Sequence, residues 1–553
     1  MRSAAATIRG PKGVIWDVFI GLEVHAQIRL NSKLFSRSRA GTQSEYDHPN
    51  SRVSLFDASY PGTLPVLNKH AVDQAIRTAL ALGCKVHRRS FFERKHYFYS
   101  DLPHGFQITQ HRHPIATGGS LPLLFEAATI ADAADNSKTA SSGSDDGSNG
   151  DVDFLPSIKV ARIQLEVDSG KSLHDTKDGV HSFVDLNRAG TALMEIVLEP
   201  EIRSAAEAGA AVKSLQLLLR RMGTCDGNME DGSMRCDLNI SVRRAGEDEG
   251  TLGQKVEVKN MNSVRHLVMA ANQEARRQIQ LLELGRGPVA QETRGFDEAK
   301  GETVRLRGKE GLVDYRFFPE PDLPPLVLSD AHTETIESTL PERPQMTITR
   351  LSCEYGITGD VSRWLVCAPW GASDYFERLV TGEEPGDGKR DPRVAANWVC
   401  NNLFRRAKES LSKKGDEDES SSDADLEGFF PAERLGGLLD LLADGTISSQ
   451  TAKLVLKIMT EENLEDSAAS IVEARGLQQM TERAEIKALC RAIVEDPNHE
   501  AQLAKFRAGK TNLSKFFMGQ AFKVTGGRAD GKIVEECVMG LLHGHPLATG
   551  EER

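Results

Sequence analysis

Residues 20–30, IGLEVHAQIRL, alternate without interruption: Ile20, Leu22, Val24, Ala26, Ile28 and Leu30 fall on one side, Gly21, Glu23, His25, Gln27 and Arg29 on the other. A period of two is strand geometry, and an unbroken one predicts a strand with a single buried face. The pattern returns. ARIQLEVDSG sets Arg162, Gln164, Glu166 and Asp168 against Ile163, Leu165 and Val167. GSMRCDLNISVR sets Arg235, Asp237, Asn239, Ser241 and Arg243 against Met234, Cys236, Leu238, Ile240 and Val242, and QKVEVKN sets Lys255, Glu257 and Lys259 against Val256 and Val258. Alternation this clean belongs to antiparallel strands with one face packed, since parallel strands are usually buried on both. Two amphipathic segments supply the packing layer. SAAEAGAAVKSLQLLLRRMG opens with Ser204 and Glu207 at capping-box spacing, carries Val212, Leu215, Leu218, Leu219 and Met222 on one side and stops at Gly223. NSVRHLVMAANQEARRQIQLLELG behaves similarly and ends at Gly285. The predicted fold class is α+β, a largely antiparallel sheet with helices on one face and its polar face open.

That open face collects oxygen ligands (Glu23, Glu166, Asp168, Asp237), one imidazole (His25) and cations (Arg235, Lys259). Carboxylates suit Mg²⁺ and cations suit phosphate, the components of phosphoryl transfer. Alternation alone does not distinguish such a site from a solvated surface. Standard nucleotide motifs are absent. Gly170-Lys171-Ser172 and Gly509-Lys510-Thr511 imitate the end of a P-loop, but Leu165 and Ala504 stand where its first glycine is required. There is no GxGxxG fingerprint, no GxSxG and no tandem-serine amidase signature, so any ATP is held on a different platform and any ammonia is made elsewhere.

At 553 residues the chain has length for about two to four domains. No apolar run approaches membrane-spanning length, and the scattered cysteines form no CxxC pair, which argues against a zinc ribbon or a disulfide framework. The net charge of −12 is concentrated: residues 129–153 hold six acids and one lysine (−5), residues 415–427 seven acids and no base (−7). The remainder is neutral, so global acidity does not exclude an RNA partner. Both acidic stretches are Ser/Asp-rich and poor in apolar residues, and are expected to be disordered. Residues 1–17 carry Arg2, Arg9 and Lys12 and no acid before Asp17, the composition of a short transit segment and equally of a frayed terminus.

Seven ordered blocks then carry a resemblance: IGLEVHAQI, DASYPGTLPVLNKHAVDQAIRTALALG, FFERKHYFYSDLPHGFQITQ, VDLNRAGTALMEIVLEPEIRS, CDGNMEDGSMRCDLNISVR, VEVKNMNSVRH and AQETRGFDEAKGETVRLRGKEGLVDYRFFPEPDLPPL. Together they resemble GatB, the B subunit of the glutamyl-tRNA(Gln) amidotransferases, over residues 18–326 and again near LADGTISSQTAKLVLKIM. The resemblance implies a glutamine-synthetase-like cradle domain over 18–335 with the disordered insert inside it, a helical domain over 340–412, an acidic linker over 413–428 and a helical tRNA-binding tail over 429–547. It implies ATP and Mg²⁺ as cofactors. The reaction would phosphorylate the γ-carboxylate of Glu mischarged on tRNA(Gln), then amidate it with ammonia channelled from an amidase-type A subunit. A small third subunit is expected, no membrane, and a mitochondrial matrix location with a bacterial cytoplasm as the alternative.

Carried over residue by residue, the resemblance makes Glu23, His25 and Glu166 the catalytic and metal-binding set, and Lys95, Tyr97, Arg235, Asn239, Lys259 and Asn260 the nucleotide contacts. Tyr315 and Arg316 precede a proline run. The chain departs from the family pattern at Val167, where a second acid is usual, and at His96, Ser100 and His104 in the RKHYFYSDLPH segment; these departures motivate an alternative, a tRNA-binding scaffold with a weakened ATP site. In the tail, residues 501–534 carry seven bases against one acid, and Lys505, Arg507, Lys510 and Lys515 are the expected tRNA contacts. Interleaved Phe506, Phe516, Phe517 and Phe522 are expected in the core.

Overall fold

The computed structural model describes residues 7–41, 48–126, 130, 156–174, 181–247, 253–308, 315–382, 390–413, 425–462 and 466–543. They divide into two compact units, Met1–Thr349 and Arg350–Arg553.

The first unit is built on one sheet. Its strands include β1 (Thr7–Arg9), β2 (Ile15–Gln27), β5 (Ser157–Val167), β6 (Ala192–Leu198), β7 (Met234–Arg244), β8 (Val256–Lys259), β9 (Glu292–Asp297) and β10 (Glu302–Gly308); β3 (Glu93–His96) and β4 (Phe106–Thr109) pair in a separate small sheet. The order runs β10-β9-β8-β7-β2-β6-β5 and on into two short strands. Every pairing in that run is antiparallel except β8 with β9. The expected α+β class with a largely antiparallel sheet is what folds. β2 sits between β7 and β6 because both of its edges are satisfied there, and its alternation becomes burial: Ile20, Leu22, Val24, Ala26 and Ile28 lie in the core.

Helices α1 (Lys69–Ala81), α2 (Ala205–Met222) and α3 (Val264–Glu283) join the same core. The predicted caps of α2 form: the Ser204 hydroxyl accepts from the Glu207 N–H, and Gly223 ends the helix in the left-handed region, where a β-carbon is costly. Gly209 serves closeness instead, since a β-carbon there would meet Val268 of α3 at 2.8 Å. The core extends through Leu328 and Ile336 to a partly buried Leu340, a little beyond the expected limit at residue 335.

Two expectations are revised. Residues 7–17 pack on the first unit: β1 pairs with β2, Trp16 is buried, and its Nε1 donates to Glu283 Oε1 at 2.8 Å. Composition registered the missing acids of this segment and not the apolar spacing of Ile8, Val14 and Trp16, which fixes it to the core. Residues 1–6, nearly all of the 129–153 insert and the acidic residues 414–424 lie outside the described residues.

The second correction concerns the tail. In the second unit, one core joins Leu351, Tyr375, Phe376 and Trp398 to Leu426, Phe430, Leu438, Val455 and Ile471. A separate core holds Ile486, Cys490, Phe506, Phe517, Val534 and Cys537. Leu426 and Phe430, which follow the acidic run, thus share a core with residues that precede it, and both cores lie within one compact unit. Asp425, expected to end a solvated stretch, caps the short helix Leu426–Phe429, and the Leu426 N–H donates to the Trp370 carbonyl at 3.1 Å. An acid at a helix N-terminus and an acid in a linker look alike in composition. Among the described residues no helix is long and apolar enough to cross a membrane, and none of the eight cysteines is in a disulfide.

Candidate active site

The register of the sheet assembles the polar face row by row. His25 of β2 stands opposite Arg235 of β7 and Glu195 of β6, and Glu195 stands opposite Gln164 of β5. One row on, Glu23 faces Asp237 and Val197; in the other direction, Gln27 faces Leu193, which faces Glu166. Above this floor lies a cavity of about 800 Å³, walled by Lys95 and Tyr97 at the β3 side, Arg235, Lys259 and Asn260 at the β7–β8 side, and Tyr315 and Phe317.

At its centre His25, Glu166 and Glu195 each offer a ligand atom within 4.8 Å of the others. Glu23 lies beside this group, its Oε1 3.6 Å from His25 Nε2. The remaining acids are taken up by cations. Asp168 is 2.7 Å from Arg235 and 3.5 Å from Arg188, and Asp237 is 2.6 Å from Lys259. Glu166 and Glu195 have amide partners, and Glu195 also makes a long ion pair with Arg162 at 3.8 Å. Gln107 Nε2 donates to Glu166 Oε1 at 2.5 Å, and Gln164 Nε2 donates to Glu195 Oε2 at 2.7 Å. Glu166 Oε2 is buried with no hydrogen-bond partner.

Proton affinities follow from this crowding. Burial lowers the His25 imidazole, but its interaction with Glu23 and the charges of Glu195, Glu166 and Asp237 outweigh it and raise its pKa to about 9. Burial, then Glu166 and Glu23, push the Glu195 carboxyl up. Burial also opposes ionisation of Glu23, yet His25 holds its carboxyl below the usual range. Burial opposes ionisation of Asp168 too, and there Arg235 and Arg188 overcome it and lower the pKa. An orphaned buried carboxylate oxygen and a donor set of two carboxylates and one imidazole fit Mg²⁺ or Mn²⁺ better than a soft metal.

Glu23, His25 and Glu166 thus converge as anticipated, and Lys95, Tyr97, Arg235, Lys259 and Asn260 line the cavity. The metal-capable group contains Glu195 where Glu23 was expected. Asn239 does not reach the cavity: it is on the same face, but a β-carbon at its neighbour Gly21 would touch both Asn239 and Pro200 at 3.7 Å, so that end of the face is covered. Alternation assigns a residue to a face and says nothing about where the face is roofed. Val167 points into the core, so the missing second acid leaves the floor intact. His104 sits outside the cavity, Nε2 2.7 Å from the Phe56 carbonyl, and Ser100 pairs with Ser172.

Glu195 was missed because its strand, ALMEIVL, is apolar on both faces apart from this one residue. The signal was there: a lone carboxylate in a buried apolar strand is costly and needs a reason. In the second unit Lys505, Arg507, Lys510 and Lys515 are exposed, whereas Phe506 and Phe517 are core.

With this geometry in view, the similarities of the chain fall into place. Residues 18–334 match the GatB/GatE catalytic domain and residues 374–542 the GatB domain. The B subunit of the mitochondrial glutamyl-tRNA(Gln) amidotransferase of Phytophthora infestans is 44% identical over 575 residues, spanning 97% of each chain. The B subunits of the aspartyl/glutamyl-tRNA(Asn/Gln) amidotransferases of Granulibacter bethesdensis and Sinorhizobium medicae are 44% and 43% identical, spanning 97% and 95% of this chain and 99% and 95% of theirs. The chain therefore belongs to the GatB family of tRNA-dependent amidotransferase subunits.

Proposed function

We propose that this chain is the subunit of an ATP-dependent amidotransferase that converts Glu on tRNA(Gln) to Gln for translation. The observation that carries the reading is the group His25, Glu166 and Glu195 on the floor of a cavity walled by Lys95, Arg235 and Lys259. A carboxylate is a poor acceptor for ammonia because its leaving group would be an oxide. Transfer of the γ-phosphoryl group of ATP to the γ-carboxylate of the substrate forms an O–P bond, expels ADP and leaves an acyl phosphate. Ammonia then adds to the carbonyl carbon, the C–O bond breaks, and phosphate departs with the surplus proton left to solvent or phosphate.

In this reading His25, Glu166 and Glu195 hold Mg²⁺, which would offset charge on the polyphosphate. Glu23 fixes His25 through their contact. Lys259 and Arg235, each anchored on an aspartate, present positive charge to phosphate oxygens without wandering. Lys95, over the Tyr315 ring at 5.2 Å, is the cation on the opposite wall. Ammonia comes from an amidase-type A subunit hydrolysing glutamine; a small third subunit completes the complex. Lys505, Arg507, Lys510 and Lys515 contact the tRNA backbone. A mitochondrial matrix location is supported by the Phytophthora relative. The scaffold alternative loses its main motive, because Val167, Ser100 and His104 all lie off the cavity floor.

ATP hydrolysis by the purified complex tests the reading. ADP release should rise severalfold on adding Glu-tRNA(Gln) and vanish in His25→Ala. An ADP rate indifferent to both would overturn it.

A further inference from the structure

The carboxylates of the polar face are held in two different ways. Asp168 and Asp237 are neutralised by guanidinium or ammonium groups, whereas Glu166 and Glu195 are held by glutamine amides. The amides are themselves oriented. Gln107 Oε1 accepts from the Tyr97 hydroxyl at 3.1 Å, and its Nε2 also reaches the Val167 carbonyl at 2.6 Å. Gln164 Oε1 accepts from Arg162 Nε at 2.9 Å, and its Nε2 also reaches Thr109 Oγ1 at 3.2 Å. With each oxygen engaged by a donor, each NH₂ group must face its glutamate. Both glutamines are buried, and they come from different places: Gln107 from the small β3–β4 sheet, Gln164 from the floor itself.

Arg162 joins the same arrangement: its Nε donates to Gln164 Oε1 at 2.9 Å while its Nη2 makes a long ion pair with Glu195 Oε1 at 3.8 Å. A neutral amide satisfies one oxygen, fixes the carboxylate plane and leaves the charge in place. For Glu166 the outcome is explicit: Oε1 is committed to Gln107, and Oε2 is buried and without a partner.

We propose that Gln107 and Gln164 are positioning residues that hold Glu166 and Glu195 as single-oxygen donors to a divalent cation, with Tyr97 setting the amide of Gln107. This rests on the reading that the His25, Glu166 and Glu195 group takes such an ion.

Mn²⁺ binding to the full chain without nucleotide, followed by electron paramagnetic resonance with Mg²⁺ competition, tests it. The metal-free melting temperature of each variant is measured alongside. Gln107→Leu and Gln164→Leu should each weaken Mn²⁺ binding by about 10–100-fold, and Tyr97→Phe by a smaller factor, since its amide stays but can turn. Glu166→Gln should remove the site. Unchanged Mn²⁺ affinity in both Leu variants, with Glu166→Gln binding lost, overturns the positioning role and leaves the metal site standing; a shift confined to melting temperature has the same meaning. Equal Mn²⁺ affinity in wild type and Glu166→Gln sinks the metal site and this inference together. Should the Leu variants not fold, Tyr97→Phe, which loses only a hydroxyl, decides: wild-type affinity there refutes the oriented amide.

Discussion

Among the described residues, every buried Asp, Glu and Lys side chain lies in the first unit, from Lys33 and Asp57 to Glu320, whereas the buried polar side chains of the second are Ser362, Ser373, Asn402, Thr451 and Thr525. Burying a charge is expensive unless it is paired or metal-bound, so its distribution is informative. Most of the first unit's buried charges have explicit partners: Lys33 with Asp57 at 3.2 Å, Arg94 with Glu320 at 2.7 Å, Arg277 with Glu274 at 2.7 Å. Glu166 instead accepts from a neutral amide and keeps one buried oxygen without a hydrogen-bond partner, and Glu195 combines an amide with a long ion pair to Arg162 at 3.8 Å. The cores of the second unit are aliphatic and aromatic, and Lys505, Arg507, Lys510 and Lys515 stand at its surface. One unit gathers buried charge around a cavity; the other, among its described residues, buries no Asp, Glu or Lys side chain.

The largest effect should come from the group His25, Glu166 and Glu195. In the complex, His25→Ala, Glu166→Gln and Glu195→Gln should each cut Gln-tRNA formation by at least about 100-fold while leaving glutamine hydrolysis by the partner subunit. Near-normal amidation in all three would mean that the charged face is not the chemical one.

Next is a matched pair of core lesions, read by denaturant unfolding. Lys33→Met strands Asp57 as a buried, unpaired charge and should destabilise the first unit by about 3–5 kcal/mol. Phe517→Ala opens a cavity in the second and should cost about 3–5 kcal/mol there. Adding Asp57→Leu should restore much of the first loss, and nothing comparable is available to Phe517. If Lys33→Met costs under about 1 kcal/mol, buried pairing is not what holds that region.

A milder effect is expected at the exposed bases. Substituting Lys505, Arg507, Lys510 and Lys515 by Ala should raise the apparent KM for Glu-tRNA, spare ATP affinity and reduce the log–log salt slope by about 1 for each phosphate contact removed. An unaltered slope would move the RNA footprint off the second unit.

Smallest of all, deleting residues 132–150 should shift melting temperature and amidation hardly at all, because the stretch has little apolar surface to bury. A clear loss of stability or of complex assembly would give the insert a role its composition does not suggest.

Local pattern made half of this molecule legible. The alternation of residues 20–30, 162–168 and 234–243 states which side chains share a face, because side chains along a strand flip with every residue whatever the strand pairs with. The capping box at Ser204 and the glycine stop at 223 are equally local, and so α2 could be delimited in advance. What pattern cannot state is who stands opposite. Glu195 entered the site through the register that sets it between His25 and Gln164, and Asn239 left it because Pro200 arrives over Gly21. The grouping of Leu426 and Phe430 with Trp398 rather than with Phe517 is the same kind of fact. Pairing and packing join residues far apart in the chain, and their free energy depends on both partners at once. The sequence by itself therefore determined which residues face together; the tertiary structure alone decided which carboxylates an amide would reach.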